Sequence, residues 1–462
     1  MRRDILHLRA PGNWMNDPNG FIYYRGKYHL FYQYFPYAPV WGTMHWGHAV
    51  SEDLIHWEHL GVALFPTKAY DRSGVFSGSA VEKDGRLYLY YSAVNYLETD
   101  DENIHVAPGD HYETSQAMIV SEDGYHFDNW KDKKKIIPVI LDEEIANRAH
   151  TRDPKVWKDG EYYYMVLGST YEERKGRVLF YRSKDAAKWE YVSQCRDGQF
   201  GRVLECPDLF EAGGEYVFVG SPMYVTEDGL EYAHQAMCTL VDYEAQGCEM
   251  KLKQEMRLID YGMDLYAPQT NIDRDGRRVM IGWMRMPKAV ETDGEKPWRG
   301  MMCIPRVVEV EDGHIFYRVH PEAERYFDNE AERLPEGIRP SCGDISVQVY
   351  GSRQERCMTG CSLEPAGEDQ GSFGMPYRLK VSLEEGQGLD IGGYRIWIED
   401  DRMKADRSEV FDGIEGYRLT GSTPKLGGRY ELDVFVDRNL IETFVNGGQY
   451  VLSHVVYGLR GV

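Results

Sequence analysis

The sequence predicts an all-β protein, a five-bladed β-propeller followed by a C-terminal β-sandwich. Apolar and polar residues alternate from about residue 10 to about residue 318, with Gly, Asp or Asn at the turns. Within that region one phrase occurs five times, and after about residue 340 the strand pattern resumes without it. Five repeated units and a separate strand-rich segment of sandwich size define the expected architecture.

The repeated phrase consists of Pro or an equivalent residue, a few apolar residues, a Gly-centred turn and an aromatic strand. Its copies occupy residues 17–28, 78–87, 153–162, 205–216 and 267–278. Their Pro-equivalent positions are 53 to 75 residues apart, which is too wide for a tight solenoid and fits four-stranded blades with variable loops. Equivalent strand starts converge at one end of a propeller axis. We therefore expect Asp17, Asp153 and Glu205, which stand at nearly the same place in three copies, to meet there.

A second phrase, Ser-x-Asp-x-x-x-aromatic, keeps a constant position in three of the units. Its copies occupy residues 51–57, 121–127 and 183–189. The Ser and Asp side chains of such a phrase bond nearby backbone groups and close a turn, while the aromatic ring anchors the next strand. The alternation of the two phrases indicates one hairpin after another.

The residue pattern changes at residues 321–334, which are charged and compatible with a helix. We expect a connector with one or two helical turns there. The predicted domains are a propeller at residues 1–318, a connector at residues 319–339 and a β-sandwich at residues 340–462. The sandwich is expected chiefly to support the propeller, with substrate contact and dimer contact as open alternatives.

Composition narrows the function classes. The chain carries 53 Lys and Arg residues against 75 Asp and Glu residues, a net charge of −22 with His neutral, which argues against nucleic acid or an anionic membrane as a partner. The first residues form no apolar core of signal-peptide length, and no stretch approaches the roughly 18 apolar residues of a membrane span, so we expect a soluble, cytoplasmic protein. The eight Cys residues lack zinc-site spacing, which favours reduced thiols, and no cofactor or metal is implied.

Three carboxylates are the candidates for chemistry, because splitting an acetal requires one ionised acid and another that delivers a proton. Asp17 lies among two Asn residues, Pro and Gly, whose irregular backbone can aim it into a pocket, although an Asx turn is the alternative. Asp153 follows an Arg, an arrangement that is usually a surface ion pair or a turn, and this is its alternative. Glu205 precedes Cys and Pro in a stretch poor in competing charge, which suits acid/base duty, with an exposed strand-edge Glu as its alternative. Their shared position in the repeat favours a functional site, because unrelated surface acids are not expected at equivalent positions of a repeat.

A series of short motifs runs in order through almost the whole chain. The first set occupies residues 14–20, 31–34, 46–48, 76–79, 152–154 and 205–206. A later set occupies residues 266–270, 282–284, 298–300, 305–306, 435–438 and 441–444. In this order the motifs resemble the signatures of glycoside hydrolase family 32, the β-fructofuranosidases, which include invertases, sucrose-6-phosphate hydrolases and fructan hydrolases.

This resemblance implies the same propeller and sandwich, and a retaining double displacement that releases terminal β-D-fructofuranosyl residues from sucrose or short fructo-oligosaccharides. By motif, Asp17 matches the nucleophile, Glu205 the general acid/base and Asp153 the transition-state stabiliser. The residues that match the lining of the fructose subsite are Asn16, Gln33, Trp41, Ser77, Arg152, Tyr266 and Trp283. Phe35 departs from the family pattern, which has Asn there, and this difference bears on leaving-group preference.

Several alternatives stay open at this level. The same acids would serve a fructosyltransferase, in which a sugar replaces water as acceptor. Sucrose 6-phosphate is an alternative substrate, and a fructan-binding protein with an inactive site is a remote third possibility. The expected partner is a small sugar or oligosaccharide, and the sequence leaves the oligomeric state open.

Overall fold

Seven β-sheets hold the strands in the part of the chain that the computed structural model describes, residues 6–172, 174–224, 234–327, 329–330, 334–335, 337–340, 345–351, 376–411 and 413–461. The chain divides into two compact units. One comprises Met1–Ile259 and Leu265–Ile315, and the other comprises Asp260–Asp264 and Phe316–Val462. Parts of the predicted connector, residues 328, 331–333 and 336, lie outside the described residues.

Five of the sheets are antiparallel blades, each built around one copy of the repeated phrase. Blade one contains β1 (Asn13–Tyr24), β2 (Lys27–Phe35), β3 (His45–Ser51) and β4 (Trp57–Leu64). Blade two contains β5 (Gly74–Lys83), β6 (Arg86–Tyr96), β7 (Tyr112–Ser121) and β8 (Lys134–Ile137). Blade three contains β9 (Arg152–Asp159), β10 (Tyr162–Tyr171), β11 (Lys175–Ser183) and β12 (Glu190–Arg196).

The last two blades have short additional strands. Blade four contains β13 (Val203–Ala212), β14 (Glu215–Met223), β15 (Met237–Glu244), β16 (Glu249–Leu252) and β17 (Arg257–Leu258), with the 3₁₀ turn Gly198–Phe200 before it. The strands after it are β18 (Leu265–Ile272), β19 (Arg278–Met284), β20 (Trp298–Arg299), β21 (Met301–Met302), β22 (Arg306–Glu311) and β23 (His314–Val319). Of these, β18, β19, β21, β22 and β23 form blade five. Strand β20 pairs in parallel with β1 of blade one, so the end of the repeat region closes onto its beginning.

The first strand of every blade carries a β-bulge at the same point, where two residues face one on the neighbouring strand. The bulged residues are 16–17, 76–77, 153–154, 206–207 and 267–268. A bulge bends its strand and redirects side chains. The five bulges therefore set which side chains face the axis in each blade.

The bulges correct the expected equivalence of the three acids. Glu205 stands just before its bulge, Asp153 occupies the first bulge position and Asp17 occupies the second. The acids thus lie at three successive register positions, not at one. Ser77 occupies in blade two the register position that Asp17 occupies in blade one, and Tyr266 occupies in blade five the register position of Glu205.

Polar side chains just beyond the bulges link the first strands around the axis. Lys155 Nζ lies 3.1 Å from a carboxylate oxygen of Asp208, and the Asp208 carboxylate accepts the backbone N–H of Thr270 at 2.8 Å. The side chains that bridge neighbouring blades in this way are Asn19, Ser79, Lys155, Asp208 and Gln269. All of them except Ser79 line a cavity of about 10 Å³ to which all five first strands contribute, and which has room for a single water molecule.

The Ser-x-Asp turns form as predicted. Ser51 Oγ accepts the backbone N–H of Leu54 at 2.8 Å, and Asp53 accepts the backbone N–H groups of Ile55 and His56. The copy that begins at residue 121 repeats this pattern, and in the copy that begins at residue 183 Ser183 Oγ accepts the N–H of Asp185 while Asp185 accepts the N–H groups two and three residues further along. These turns are local, which is why the sequence alone predicts them.

The second unit contains helix α1 (Pro321–Tyr326) and two sheets that share one apolar core, so the predicted all-β class of propeller and sandwich is confirmed. One sheet contains β24 (Asn329–Glu330), β26 (Val347–Gly351), β27 (Tyr377–Ser382), β32 (Glu431–Asp437), β33 (Leu440–Val445) and β34 (Tyr450–Val455). The other contains β25 (Ile338–Pro340), β28 (Gly388–Ile391), β29 (Tyr394–Glu399), β30 (Arg402–Asp406) and β31 (Thr420–Ser422), with the 3₁₀ turn Ser408–Val410 after β30.

A buried ion pair fixes residues 260–264 within this second unit. The Arg407 guanidinium, which is inaccessible to solvent, binds both carboxylate oxygens of Asp264. Asp264 also accepts the backbone N–H of Val455 at 2.9 Å. A short stretch between blades four and five therefore belongs to the sandwich, a boundary that the sequence pattern does not indicate.

Candidate active site

Asp17 lies in the bulge of β1 and accepts several hydrogen bonds. Ser77 Oγ donates to Asp17 Oδ2 at 2.5 Å, and Asn16 Nδ2 donates to Asp17 Oδ1 at 3.1 Å. Gln33, the single residue opposite the bulge, donates to Ser77 and lies 3.5 Å from Asp17 Oδ2. Donors from blades one and two thus fix the orientation of the Asp17 carboxylate.

Asp153 and Cys206 occupy the first bulge position of their blades and contact each other. Cys206 N–H donates to Asp153 Oδ2 at 2.8 Å, and Cys206 Sγ lies 3.6 Å from both Asp153 Oδ2 and Asp17 Oδ2. Both residues have positive φ, 64° for Asp153 and 47° for Cys206, a conformation that costs energy for non-Gly residues and is concentrated at functional sites. The Cys206 thiol therefore lies between two of the three candidate acids, next in sequence to the third.

Glu205 contacts the residues at its own register position in the two neighbouring blades. Tyr266 Oη lies 2.7 Å from Glu205 Oε2, and Arg152 Nε lies 3.6 Å from Glu205 Oε1. Arg152 is 9% exposed, so the surface ion pair with Asp153 that its sequence neighbours allow does not form. The prediction that Glu205 lies in surroundings poor in charge is wrong, because folding brings the Arg152 guanidinium beside it.

The Tyr266 hydroxyl can form a hydrogen bond with Glu205 whether that carboxyl group is ionised or protonated. Besides Glu205, it lies 3.0 Å from the backbone carbonyl of Ser221, which can only accept. When Glu205 is ionised, the single hydroxyl proton can be donated to the carboxylate. When Glu205 is protonated, the hydroxyl can donate to Ser221 and accept from Glu205, so rotation of one O–H bond serves both states.

Burial dominates the titration of this site. It raises the pKa of Asp17, the hydrogen bonds from Ser77 and Asn16 lower it, and the charge of Glu205 raises it. Burial and the charge of Glu205 raise the pKa of Asp153, against the opposing effect of Arg152. Nearby carboxylates in a buried site cannot all ionise readily, so the site tends to retain a proton.

Burial and the neighbouring carboxylates also raise the pKa of the Cys206 thiol well above its usual value. The thiol therefore stays protonated, and its S–H can donate weakly to Asp17 or Asp153. Its geometry suits support of these carboxylates.

The predicted sugar-lining aromatic residues form one cluster beside the acids. Trp283 packs edge-on against Trp14 with ring centres 5.8 Å apart, and Trp14 Nε1 donates to Asn16 Oδ1 at 2.7 Å. Trp41 packs edge-on against Phe76, the residue before Ser77, at 5.9 Å. The cluster thus joins Trp41 and Trp283 to the residues that hold Asp17, although neither ring contacts a carboxylate in the contacts described here.

Two donors in this region have no acceptor among the described residues. They are Arg152 Nε and Trp283 Nε1, and both are buried. Unsatisfied buried donors are uncommon in folded proteins and require an explanation.

All ten sequence-predicted site residues lie in these connected contacts. Sequence reasoning missed His150 and Tyr112, which lie on the far side of Arg152: Arg152 Nη2 donates to His150 Nδ1 at 2.7 Å, and Tyr112 Oη lies 3.2 Å from the same nitrogen. The His-x-Arg-Asp-Pro spacing is a signal for His150. Tyr112 gives none, because it reaches the site from another blade.

Phe35, the departure from the family pattern, is buried. Its ring packs against Tyr37 and His105, with ring centres 5.4 and 4.9 Å away. His105 lies in the loop of residues 97–111 between β6 and β7, and its Nδ1 lies 2.8 Å from Thr43 Oγ1. Phe35 therefore ties the blade-one loop to the blade-two loop.

The described residues also bear on other classes of function. Among the described residues no group of three or more His, Cys, Asp or Glu side chains is arranged to hold a metal ion. The helices described here include none with the length and apolar character needed to cross a bilayer.

Comparison with known proteins places these features in a family. The N-terminal domain of glycosyl hydrolases family 32 matches residues 7–321, and the C-terminal domain of that family matches residues 393–460. The sucrose-6-phosphate hydrolase of Escherichia coli is 31% identical over 98% of this chain and 88% of its own length. The raffinose invertase of Escherichia coli is 32% identical, over 98% of this chain and 89% of its own.

A solved structure agrees along the whole chain. A variant of the family 32 β-fructofuranosidase of Bombyx mori, in complex with sucrose, is 28% identical and has a TM-score of 0.74. The match covers 100% of this chain and 89% of that chain. The match to the family across both units, together with these relatives, shows that the chain belongs to glycoside hydrolase family 32 and is a glycosidase.

Proposed function

We propose that the enzyme hydrolyses the bond to a terminal, non-reducing β-D-fructofuranosyl residue of sucrose or a short fructo-oligosaccharide, with retention of configuration. One observation supports this most directly: Asp17 and Asp153 share contact with Cys206, the neighbour of Glu205. Three acids from three blades thus gather around one point. Relatives named sucrose-6-phosphate hydrolase and raffinose invertase support the substrate class.

In the proposed reaction Asp17 attacks the anomeric carbon of fructose while Glu205 protonates the leaving oxygen. The glycosidic bond breaks and an ester to Asp17 forms. Glu205 then takes a proton from water, which attacks the same carbon and releases Asp17. The donors Ser77 and Asn16 suit an ionised attacker, and the Tyr266 hydroxyl accommodates both states of Glu205.

The remaining predicted residues bind the sugar in this proposal. Asp153 accepts fructose hydroxyls and stabilises the transition state. Arg152 and Trp283 line the fructose subsite. Asn16, Gln33 and Ser77 complete the polar rim, and Trp41 supplies an apolar face. We also propose that the enzyme is cytoplasmic and that it consists of a propeller domain at residues 1–318, a connector at residues 319–339 and a sandwich domain at residues 340–462.

Sucrose 6-phosphate is the second candidate substrate. Relatives that cover nearly the whole chain carry the name sucrose-6-phosphate hydrolase. A panel of sucrose, sucrose 6-phosphate, 1-kestose, inulin and levan, compared by kcat/KM, decides between the candidates. Preference for a long fructan over sucrose and its phosphate would contradict the proposal.

The variant Asp17→Asn tests the nucleophile. It removes the ionised attacker while keeping its size, so release of fructose from the preferred substrate should be abolished in a protein with unchanged circular dichroism. Turnover close to that of the wild type would remove Asp17 from the role. Adding methanol to the wild type tests retention, because a fructosyl ester yields methyl β-D-fructofuranoside, whereas an inverting enzyme would yield none.

A further inference from the structure

A chain of polar contacts leads from Glu205 through Arg152 to the surface. Arg152 Nη2 lies 2.7 Å from His150 Nδ1, and His150 Nε2 lies 2.9 Å from Asp110 Oδ1. Asp110 also accepts from Arg174 Nη2 at 2.7 Å. His150 is 8% exposed, whereas Arg174 is a surface residue, so the chain starts in the site and ends in solvent.

The donor inventory fixes the proton on His150. A guanidinium can only donate, so His150 Nδ1 must offer its lone pair to Arg152. The ring proton of neutral His150 then lies on Nε2 and is donated to the Asp110 carboxylate. A second ring proton would remove the acceptor that Arg152 uses and would place a cation against the guanidinium.

The groups around His150 favour this neutral form. Burial and the charges of Arg152 and Arg174 lower the pKa of His150 to about 4, against the opposing effect of Asp110. The other groups that face it are the Tyr112 hydroxyl, 3.2 Å from Nδ1, and Asn147, which accepts the His150 backbone N–H at 2.9 Å. His150 therefore acts as a fixed acceptor across the neutral range of pH.

The position of Arg152 has a consequence for Glu205. The distance of 3.6 Å between Arg152 Nε and Glu205 Oε1 is an ion-pair contact but too long for a hydrogen bond. Guanidinium and carboxylate groups left to themselves close into short, paired hydrogen bonds. The bond that Arg152 Nη2 donates to His150 opposes that closure, because it engages one of the nitrogens that a paired contact would use.

We propose that His150 is a positioning residue that holds the Arg152 guanidinium just outside hydrogen-bond distance of Glu205. This assignment rests on the proposed function of Glu205 as acid/base. Glu205 is spared a closed ion pair that would hold it in the carboxylate form and oppose proton donation.

Two substitutions at His150 separate its two bonds. In His150→Asn the amide oxygen lies near the place of Nδ1 and can accept from Arg152, but the shorter side chain does not reach Asp110. In His150→Gln the amide reaches Asp110 and leaves the place of Nδ1 without an acceptor. His111→Gln is the matched control, because His111 is next to Asp110 in the loop of residues 97–111 and pairs with Glu98 at the surface.

The assay is kcat/KM across pH on the preferred sugar and on a nitrophenyl β-D-fructofuranoside, whose leaving group needs little proton assistance. With His150→Gln we expect the alkaline limb of the profile to move to lower pH. The loss on the sugar should be about tenfold, part of the 10²–10⁴-fold that acid catalysis contributes. The loss on the aryl fructoside should be smaller. His150→Asn and His111→Gln should keep the wild-type profile.

Each alternative result overturns the inference. Equal losses for Asn and Gln at every pH, with a lowered Tm, would mean that His150 only supports the fold. A wild-type profile for His150→Gln would mean that Arg152 needs no tether. If neither His150 variant is stable enough to assay, ¹⁵N NMR of the wild-type ring decides, because a protonated Nδ1 at pH 6 excludes the required acceptor. A wild type that releases no fructose from any substrate contradicts the proposed function itself, which keeps the two failures apart.

Discussion

Removal of the Ser77 hydroxyl should change the pH at which the enzyme works more than its fold. Ser77 Oγ donates to Asp17 Oδ2 at 2.5 Å, and this bond lowers a pKa that burial raises. In Ser77→Ala that opposing effect is lost. The Asp17 pKa should rise further, so the ionised attacker disappears at a higher pH than in the wild type.

The magnitude follows from the bond. A hydrogen bond to a charged group contributes roughly 1.5–3 kcal/mol, and one pKa unit corresponds to about 1.4 kcal/mol. Gln33 Nε2 remains 3.5 Å from the same oxygen and can take over part of the contact. We therefore expect the acid limb of kcat/KM to move up by about one unit, the lower end of that range.

The assay is the pH profile of kcat/KM for Ser77→Ala beside that of Ser79→Ala. Ser79 is buried two residues further along β5, and its hydroxyl donates to the Pro154 carbonyl at 2.7 Å instead of to an acid. Ser79→Ala should lower stability and leave the acid limb in place. The reasoning fails if Ser77→Ala leaves the limb unmoved or if both variants move it equally.

Three further predictions concern the acid, the sandwich and acid stability. Glu205→Gln should reduce kcat/KM far more on sucrose than on a nitrophenyl β-D-fructofuranoside, and equal losses would count against a general acid. Arg407→Met should destabilise the second unit by about 3–5 kcal/mol in urea unfolding, because the buried Asp264 carboxylate loses its guanidinium partner. Arg395→Met, which breaks an exposed ion pair, should cost less than about 1 kcal/mol. Similar losses for the two variants would contradict this reasoning. Burial lowers the pKa of His29 to about 4, so below about pH 6.5 this residue takes up a proton in the unfolded chain but not in the folded one. The free energy of unfolding should therefore fall by about 2 kcal/mol from this group between pH 7 and pH 5. His29→Phe should reduce that loss, and an unchanged pH dependence of stability would refute the reasoning.

The features that could be predicted from sequence are those with local causes. The turns at Ser51 and Ser121 close through bonds between residues two or three apart in the chain. The five phrases predicted five blades because each blade is a set of consecutive hairpins. Family motifs named the acids and their neighbours, since such motifs are also local in sequence.

Other features depend on contacts between distant parts of the chain. Arg152 and Glu205 are 53 residues apart and meet only because each precedes the bulge of its own first strand. Asp264 joins the sandwich through Arg407, which lies 143 residues later. Strand register and pairing across blades decide such contacts, and neither is written in the composition of a short segment.

The sequence by itself determined the all-β class, the number of blades and the three acids, because hydrophobic alternation, turn residues and motifs are properties of short segments. The tertiary structure decided the positions of those acids, which the bulges place at three successive register positions instead of one. It also decided their chemistry. Burial raises the pKa of Asp17 and Asp153, and only the packing of several blades around one axis produces that burial.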